Sequence, residues 1–336
     1  MRPAPRIPHA ATPPLAARVR ALPGRRVLVV GDFVADHYIY GQTDRVSREA
    51  PVLVVRYEHS EVKLGGGANV AANAAALGGR VTAVGVLGQD EMGRALRTAF
   101  RDAGIRVRSP RAPGLATETK TRILAGGVNT TRQQMLRLDR TASGPLPARA
   151  RAGLASAIRE AAAGADAVVV SDYGAGVMCD ETRELLASLA ADGLPVCVDS
   201  RYALERFRGF TVCKPNEPEL SALTGIAIRD DASLLRAMRA AARLLRCKAL
   251  VATRGRNGMA VWDGRSLELL PVHGAEEAVD VTGAGDTVIA VLSLGLAAGG
   301  SVLEAAQLAN VAGGLVVMKP GTATVSHGEL LAGVAA

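Results

Sequence analysis

A chain of 336 residues, 49% of them hydrophobic, is long enough for one large α/β domain or two small ones. Aromatics make up only 3%, so its elements must pack through small side chains. The net charge of +8 comes mainly from arginines spread along helical segments such as "RAMRAAARLLR", without a basic block or aromatics for base stacking, which argues against nucleic acid and leaves a mild pull on anionic small molecules.

Taken in chain order, residues 1–24 are rich in Pro, Ala and Arg, lack an apolar signal core, and are expected to form a flexible tail ahead of a domain at 25–336. "RRVLVVGD" is a buried parallel strand delivering Asp32 to its carboxyl end, and "YIYG" and "PVLVVRYE" are short β segments. "KLGGGANVAANAAALGG" is a glycine loop opening a small-residue helix, "VTAVGVLG" a strand, and "DEMGRALRTAFRDAG" a helix. "ETKTRILAGGVNTTRQQMLRLD" reads as two or three antiparallel strands. From 148 onward helices alternate with strands ending in Asp172, Asp199, Asn216 and Thr253; a hairpin and two helices close the chain. That alternation predicts a doubly wound sheet whose polar strand ends, with Asp32, share a site. The apolar run 284–298 contains Asp286 and is too short to span a membrane. Cys179, Cys197, Cys213 and Cys247 have no CxxC spacing and read as buried free thiols; the five histidines form no ligand cluster.

"AVDVTGAGDTVIAVLSLGLAAG" places a carboxylate at the mouth of an apolar helix. Gly283, Ala284 and Gly285 would present bare N–H groups at a helix start, where the dipole favours negative charge. Such a nest suits a phosphoryl group in transit, and Asp286 beside it can take the proton of an attacking hydroxyl. A helix cap is the other reading of Asp286, and the turn alone does not separate the two. No GxxxxGK[ST], HRD or DFG occurs, so P-loop and protein-kinase chemistry are excluded.

The glycine loop at 63–79 together with 278–299 resembles the paired signatures of the ribokinase-like, PfkB-type carbohydrate kinases, with "KPNEPE" and "TRGRNG" between them in that family's order. The resemblance spans residues 25–330. It implies a doubly wound, mostly parallel sheet flanked by helices, a small β lid from 36–62 and 115–140, and ATP and Mg²⁺ as cofactors, and it admits a monovalent cation. Asp286 matches the catalytic base, with Gly283, Ala284 and Gly285 as its anion hole. Asn216 and Glu219 match the motif that organises Mg²⁺-bound phosphates through water; a helix cap is a second, compatible reading of Asn216. Thr253 and Gly255 border the nucleotide, and Gly258 either joins them or only serves the turn. On the sugar side, Asp32 and Asp36 match the hydroxyl acceptors, and Gly66, Gly67 and Asn69 the first glycine signature; an exposed turn is the other reading of Asp36.

Within that family, "GDFVADHYIYGQTDRVSREAPVLVV", "TRQQMLRLD", "SDYGAGV", "RFRGFTVCKPNEPE" and "KPGTATVS" resemble the kinases of D-glycero-D-manno-heptose 7-phosphate. The expected reaction is ATP-dependent phosphorylation at O1 to the 1,7-bisphosphate, in the cytoplasm, on the route to ADP-heptose and the lipopolysaccharide inner core. Such kinases are often fused to a nucleotidyltransferase domain; with the chain ending at Ala336, a stand-alone kinase is expected. Two departures bear on the acceptor: Ala175 stands where those kinases carry lysine, and Ser200–Arg201 where Asp-Pro-Lys is usual. The alternatives are a family member acting on ribose, fructose or fructose 6-phosphate, and an inactive relative that binds nucleotide or sugar. A 7-phosphate calls for a cationic clamp. Arg45, Arg48, Lys120, Arg122 and Arg137 lie in the lid, but each taken alone reads first as a solvated surface charge, and none is singled out as the clamp. The open lid edge would be covered by a second copy, so a homodimer is expected.

Overall fold

Strands buried on both faces read as unbroken apolar runs, and β1 (Arg26–Gly31) shows why: Val27 and Val29 enter one core cluster, Leu28 and Val30 the other. The computed structural model describes residues 15–127, 131–141, 144–274 and 278–335. Helix α1 (Leu15–Arg20) precedes β1, and β2 (Phe33–Val46), β3 (Leu53–Gly66), α2 (Gly67–Ala76), β4 (Arg80–Val84), α3 (Glu91–Asp102) and β5 (Arg106–Arg108) follow it. After β6 (Glu118–Gly126) and β7 (Gln133–Arg140) the chain alternates through α4 (Ala148–Ala162), β8 (Ala167–Asp172), α5 (Asp180–Ala191), β9 (Val196–Ser200), β10 (Val212–Cys213) and α6 (Glu217–Thr224). It then runs through α7 (Asp231–Leu245), β11 (Ala249–Thr253), β12 (Met259–Trp262), β13 (Leu267–Leu270), α8 (Ala284–Ala297), α9 (Val302–Val316) and α10 (His327–Gly333).

The main sheet has the order β13-β12-β11-β10-β9-β8-β1-β4-β5, parallel throughout except at the β11–β12–β13 end. One face is covered by α2, α3, α8 and α9, the other by α4, α5 and α7. This is the doubly wound, mostly parallel arrangement that the alternating pattern predicted. The two β-rich stretches meet in a second sheet of order β3-β2-β6-β7, where β2 runs parallel to β6 and the other pairs are antiparallel. The short segments expected at 38–41 and 51–58 are in fact two 14-residue strands, because bulges after Tyr40 and Thr43 let them bend without breaking the ladder.

Two expectations need correction. Residues 15–24 are not tail: Val19 and Leu22 are fully buried, and Arg18 Nε reaches Glu304 Oε1 at 3.0 Å, so α1 docks on α9. Residues 1–14 lie outside the described residues. Three helices, not two, follow the hairpin, since Ser326 and Glu329 form a capping box that starts α10. No described helix is long and apolar enough to cross a membrane. The four cysteines are free thiols, Cys197 and Cys213 buried.

Candidate active site

Strand order reverses between β1 and β8, where open parallel sheets receive ligands at the carboxyl ends. Asp32 leaves β1 there. Its Oδ2 accepts the backbone N–H of Tyr173 (2.8 Å) and Ala175 (3.1 Å), and its Oδ1 that of Val177 (3.2 Å). Burial, with the charge of Asp172, pushes this carboxyl up to about 6 against the three donors. Asp32, expected to accept sugar hydroxyls, has both oxygens bonded to backbone N–H groups and anchors the 173–177 loop. Ala175 contributes only its N–H to that anchor. Ser200 Oγ donates to Asp172 at 2.7 Å, fixing the next strand end.

Helix α8 starts at Gly283, which is left-handed (φ 78°); a Cβ there would lie 2.5 Å from Asn69 Nδ2. No side chain caps this start, so the cap reading of Asp286 fails. Its carboxylate turns inward, accepting Asn69 Nδ2 at Oδ2 and Tyr173 Oη at Oδ1, both at 2.9 Å. Asn69 is steadied in turn by Asn73, one helical turn along α2, whose Oδ1 accepts Thr287 Oγ1 of α8. Asp286 is 4% exposed. Burial, aided by Asp199, pushes it up to about 7, opposed by Asn69, Tyr173 and Lys214. A carboxyl with a value near neutrality is suited to exchange a proton at physiological pH.

Lys214 Nζ pairs with Asp199 Oδ2 at 2.9 Å, and this pair stands over Gly285, whose Cβ would lie 3.5 Å from the ammonium. From here a cavity of about 740 Å³ opens, lined by Asp286, Lys214, Arg201, Asn216, Glu219 and Thr253. A second cavity of about 450 Å³ shares Thr253, Gly255, Val281 and Gly285 with it and has apolar walls of Met259, Val288 and Val317. Asn216 does cap α6: its Oδ1 accepts Glu219 N and its N–H donates to Glu219 Oε2, both at 2.8 Å. Burial raises the Glu219 carboxyl. Gly258, with φ 75° and a virtual Cβ 2.0 Å from Leu270 O, is needed for the turn into β12, and it also lines the second cavity.

On the lid, the two-residue period sends Lys63, Asp36, Lys120 and Asp139 to one rung of a single face, and Glu61, Tyr38, Arg122 and Arg137 to the next. Asp36 is buried in β2, not on an exposed turn, and accepts Arg122 Nη1 at 2.6 Å and Thr322 Oγ1 at 2.9 Å. Thr322 lies beside Gly283, so the root of the lid meets the glycine turn. Gly66 and Gly67 join β3 to α2, with Gly67 N donating to Asp32 O at 2.9 Å. Arg45 and Arg48 sit exposed at the opposite end of the β2–β3 hairpin.

The structure thus brings together Asp286, Gly283, Ala284, Gly285, Asn69, Asn216, Glu219, Thr253 and Gly255 at one sheet edge, with Asp36 at the lid root. Sequence reasoning passed over Tyr173, Lys214 and Thr322 as individuals. Each stood in a quoted motif, and Lys214 in particular directly follows a buried strand, where an ionised side chain needs a partner.

A family model described as pfkB family carbohydrate kinase matches residues 25–327. The bifunctional protein HldE of Methylococcus capsulatus is 43% identical over 314 residues, covering 91% of this chain and 63% of its own length. That of Alkalilimnicola ehrlichii is 44% identical over 310 residues, covering 91% and 62%. The chain therefore spans less than two thirds of the length of these relatives. Its fold is similar to phosphofructokinase-2 from Escherichia coli in complex with fructose-6-phosphate (TM-score 0.75, 21% identity, 93% of this chain and 98% of that one). It is also similar to Arabidopsis thaliana ribokinase complexed with ribose and ATP (TM-score 0.69, 21% identity, 93% and 99%).

Proposed function

The chain belongs to the pfkB family of carbohydrate kinases, and from that premise we propose that it transfers the γ-phosphoryl group of ATP to O1 of D-glycero-D-manno-heptose 7-phosphate. The observation that carries the reading is Asp286: a buried carboxylate beside a left-handed glycine turn, aimed by Asn69 and Tyr173 and facing a cavity that contains Lys214. The similarity to HldE over the kinase-sized portion of those relatives supports the heptose acceptor.

In this reading Asp286 accepts the O1 proton as O1 bonds the γ-phosphorus and the bond to the β,γ-bridging oxygen breaks, releasing ADP. The N–H groups of the 283–285 turn and the Lys214 ammonium stabilise charge on the phosphoryl oxygens. Lys214 is held for this by Asp199. The two joined cavities fit ATP, the polar one taking phosphates and the apolar one the base. Mg²⁺, which keeps most of its waters, fits a wall offering one carboxylate and one amide: Glu219 and Asn216 would hold it through water, and bound there it would neutralise phosphate charge. A monovalent cation, if one is used, falls outside these roles. Asp36 accepts sugar hydroxyls with the lone pairs that Arg122 and Thr322 leave. The lid excludes water.

The far face of the lid supports a homodimer: Leu136 and Leu138 are 57% and 64% exposed and lie across from Ile123 and Thr121 on β6. A second copy covers this face and the open edges in the proposed assembly. ATP and sugar phosphates are cytoplasmic solutes, so the proposed location is the cytoplasm. Phosphorus NMR of the product formed from D-glycero-D-manno-heptose 7-phosphate and Mg²⁺-ATP tests the reaction. A new anomeric phosphate beside the retained 7-phosphate is expected, and phosphorylation of any other hydroxyl would contradict the O1 assignment.

A further inference from the structure

The polar face of the lid carries four cations and three carboxylates on its two inner rungs, and the carboxylates are already taken. Arg122 holds Asp36 at 2.6 Å, Arg137 holds Asp139 at 2.6 Å and Lys63 holds Glu61 at 3.3 Å. Lys120 is left over: no described carboxylate lies within ion-pair distance of it. It is half-buried, and its ammonium stands 5.0 Å from the centroid of the Tyr173 ring, whose hydroxyl is bonded to Asp286. Arg201 rises from the core side of the same mouth, lines the large cavity and has no carboxylate partner among the described residues; its only ring contact is Tyr202 at 5.7 Å. Two cations outside any ion pair therefore flank the catalytic carboxylate, one on the lid and one on the core. Asp36 and Asp139 lie across from Lys120 on the neighbouring strands but are bonded to Arg122 and Arg137, so a half-buried ammonium is left without a direct partner, which is costly unless something anionic arrives.

We propose that Lys120, with Arg201 opposite it, is the docking point for the acceptor's own anionic group, so that the site selects sugar phosphates over free sugars. The inference rests on the kinase reading above and gives it a substrate class. Arg122 and Arg137, equally basic and on the same face, are excluded because their charges are spent on Asp36 and Asp139. Arg45 and Arg48 are excluded by their position at the hairpin tip. The rival use of the same ammonium is the γ-phosphate of ATP, and it makes a different forecast.

The test compares equilibrium binding of D-glycero-D-manno-heptose 7-phosphate and of the unphosphorylated heptose by calorimetry, without nucleotide, in the native enzyme and in K120M, K120R and R201M. Charge-assisted pairing of this kind predicts a preference for the phosphorylated sugar of about tenfold or more in the native enzyme. The ratio should collapse toward one in K120M, recover in part in K120R, and fall less in R201M. An unchanged ratio in correctly folded K120M overturns the inference. So does K120M that keeps the ratio but loses turnover equally with both sugars, which would assign Lys120 to ATP. Because binding is read without catalysis, a failure of the kinase reading itself would show separately, as absent ADP release by the native enzyme.

Discussion

The two sides of the site are built differently. On the core side, the glycine turn, Asp286, Lys214 and the Asn216–Glu219 cap come from short runs of sequence, and the side chains of Asp286, Lys214, Asn216 and Glu219 each already have a partner within the protein. On the lid side, the polar face is assembled from four strands spanning more than a hundred residues, its charges alternate, and one cation is left unmatched. Transfer chemistry needs a fixed array that costs no reorganisation when the phosphoryl group moves. Acceptor choice needs groups whose partners arrive with the ligand. The difference matches the proposed division of labour, with catalysis in the satisfied half and selectivity in the unsatisfied one.

Changes in the core half should damage the rate most. D286N should lower turnover by about 10²–10⁴-fold, the scale of a lost general base, with ATP binding retained; ADP release and calorimetry read the two separately. The same variant should be more stable. Because burial raises this carboxyl from 3.8 to about 7, the unfolded chain releases the proton first as pH rises, and stability falls between those values. The full cost, at most about 4 kcal/mol, is present above pH 7 and relieved by acid. D286N should therefore melt a few degrees higher than the native protein at pH 8, with the gap closing toward pH 4. A gap that widened toward acid would contradict the burial argument.

Y173F is the next largest. It removes a donor that favours the ionised form of Asp286, so the acid limb of kcat/KM, expected near pH 7 in the native enzyme, should move upward while kcat falls by about tenfold. A merely structural tyrosine would lower kcat without moving the limb. N216A removes a cap worth about 1 kcal/mol, so a drop of roughly 1–2 °C in Tm and a several-fold rise in KM for Mg²⁺-ATP are expected. The smallest effect belongs to the lid's far face: L136D with L138K should halve the mass in light scattering and leave the Asp286 pH limb in place. Native protein with a monomer's mass at micromolar concentration would remove the dimer from the account.

Much of the core half was legible in the sequence because local chemistry dictates it. A strand ending in Gly-Asp, a glycine pair before a small-residue helix, and N-E-P-E at a helix start each have few physical solutions. What was not legible required knowing which strands meet. Asp32 and Asp36 looked alike as acidic residues four apart, yet one carboxylate is turned onto the backbone of the 173–177 loop and the other onto Arg122 and Thr322 at the lid root. Tyr173 gained its role only because β8 lies next to β1 and brings its loop over α8. Lys120 could not be told from Arg122 or Arg137 until the register of β6 with β2 and β7 showed which cations were paired. Val19 and Leu22 hid in a stretch rich in Pro, Ala and Arg whose composition outweighed two apolar residues three apart.

The central claim is that a core-borne base acts on a sugar phosphate chosen by the lid. It is tested most directly by ADP release with Mg²⁺-ATP, comparing D-glycero-D-manno-heptose 7-phosphate with fructose 6-phosphate, fructose and ribose. The account predicts turnover of the heptose phosphate well above the others, fructose 6-phosphate ahead of the two free sugars, and none of it in D286N. Equal or faster turnover of ribose or fructose would contradict the account.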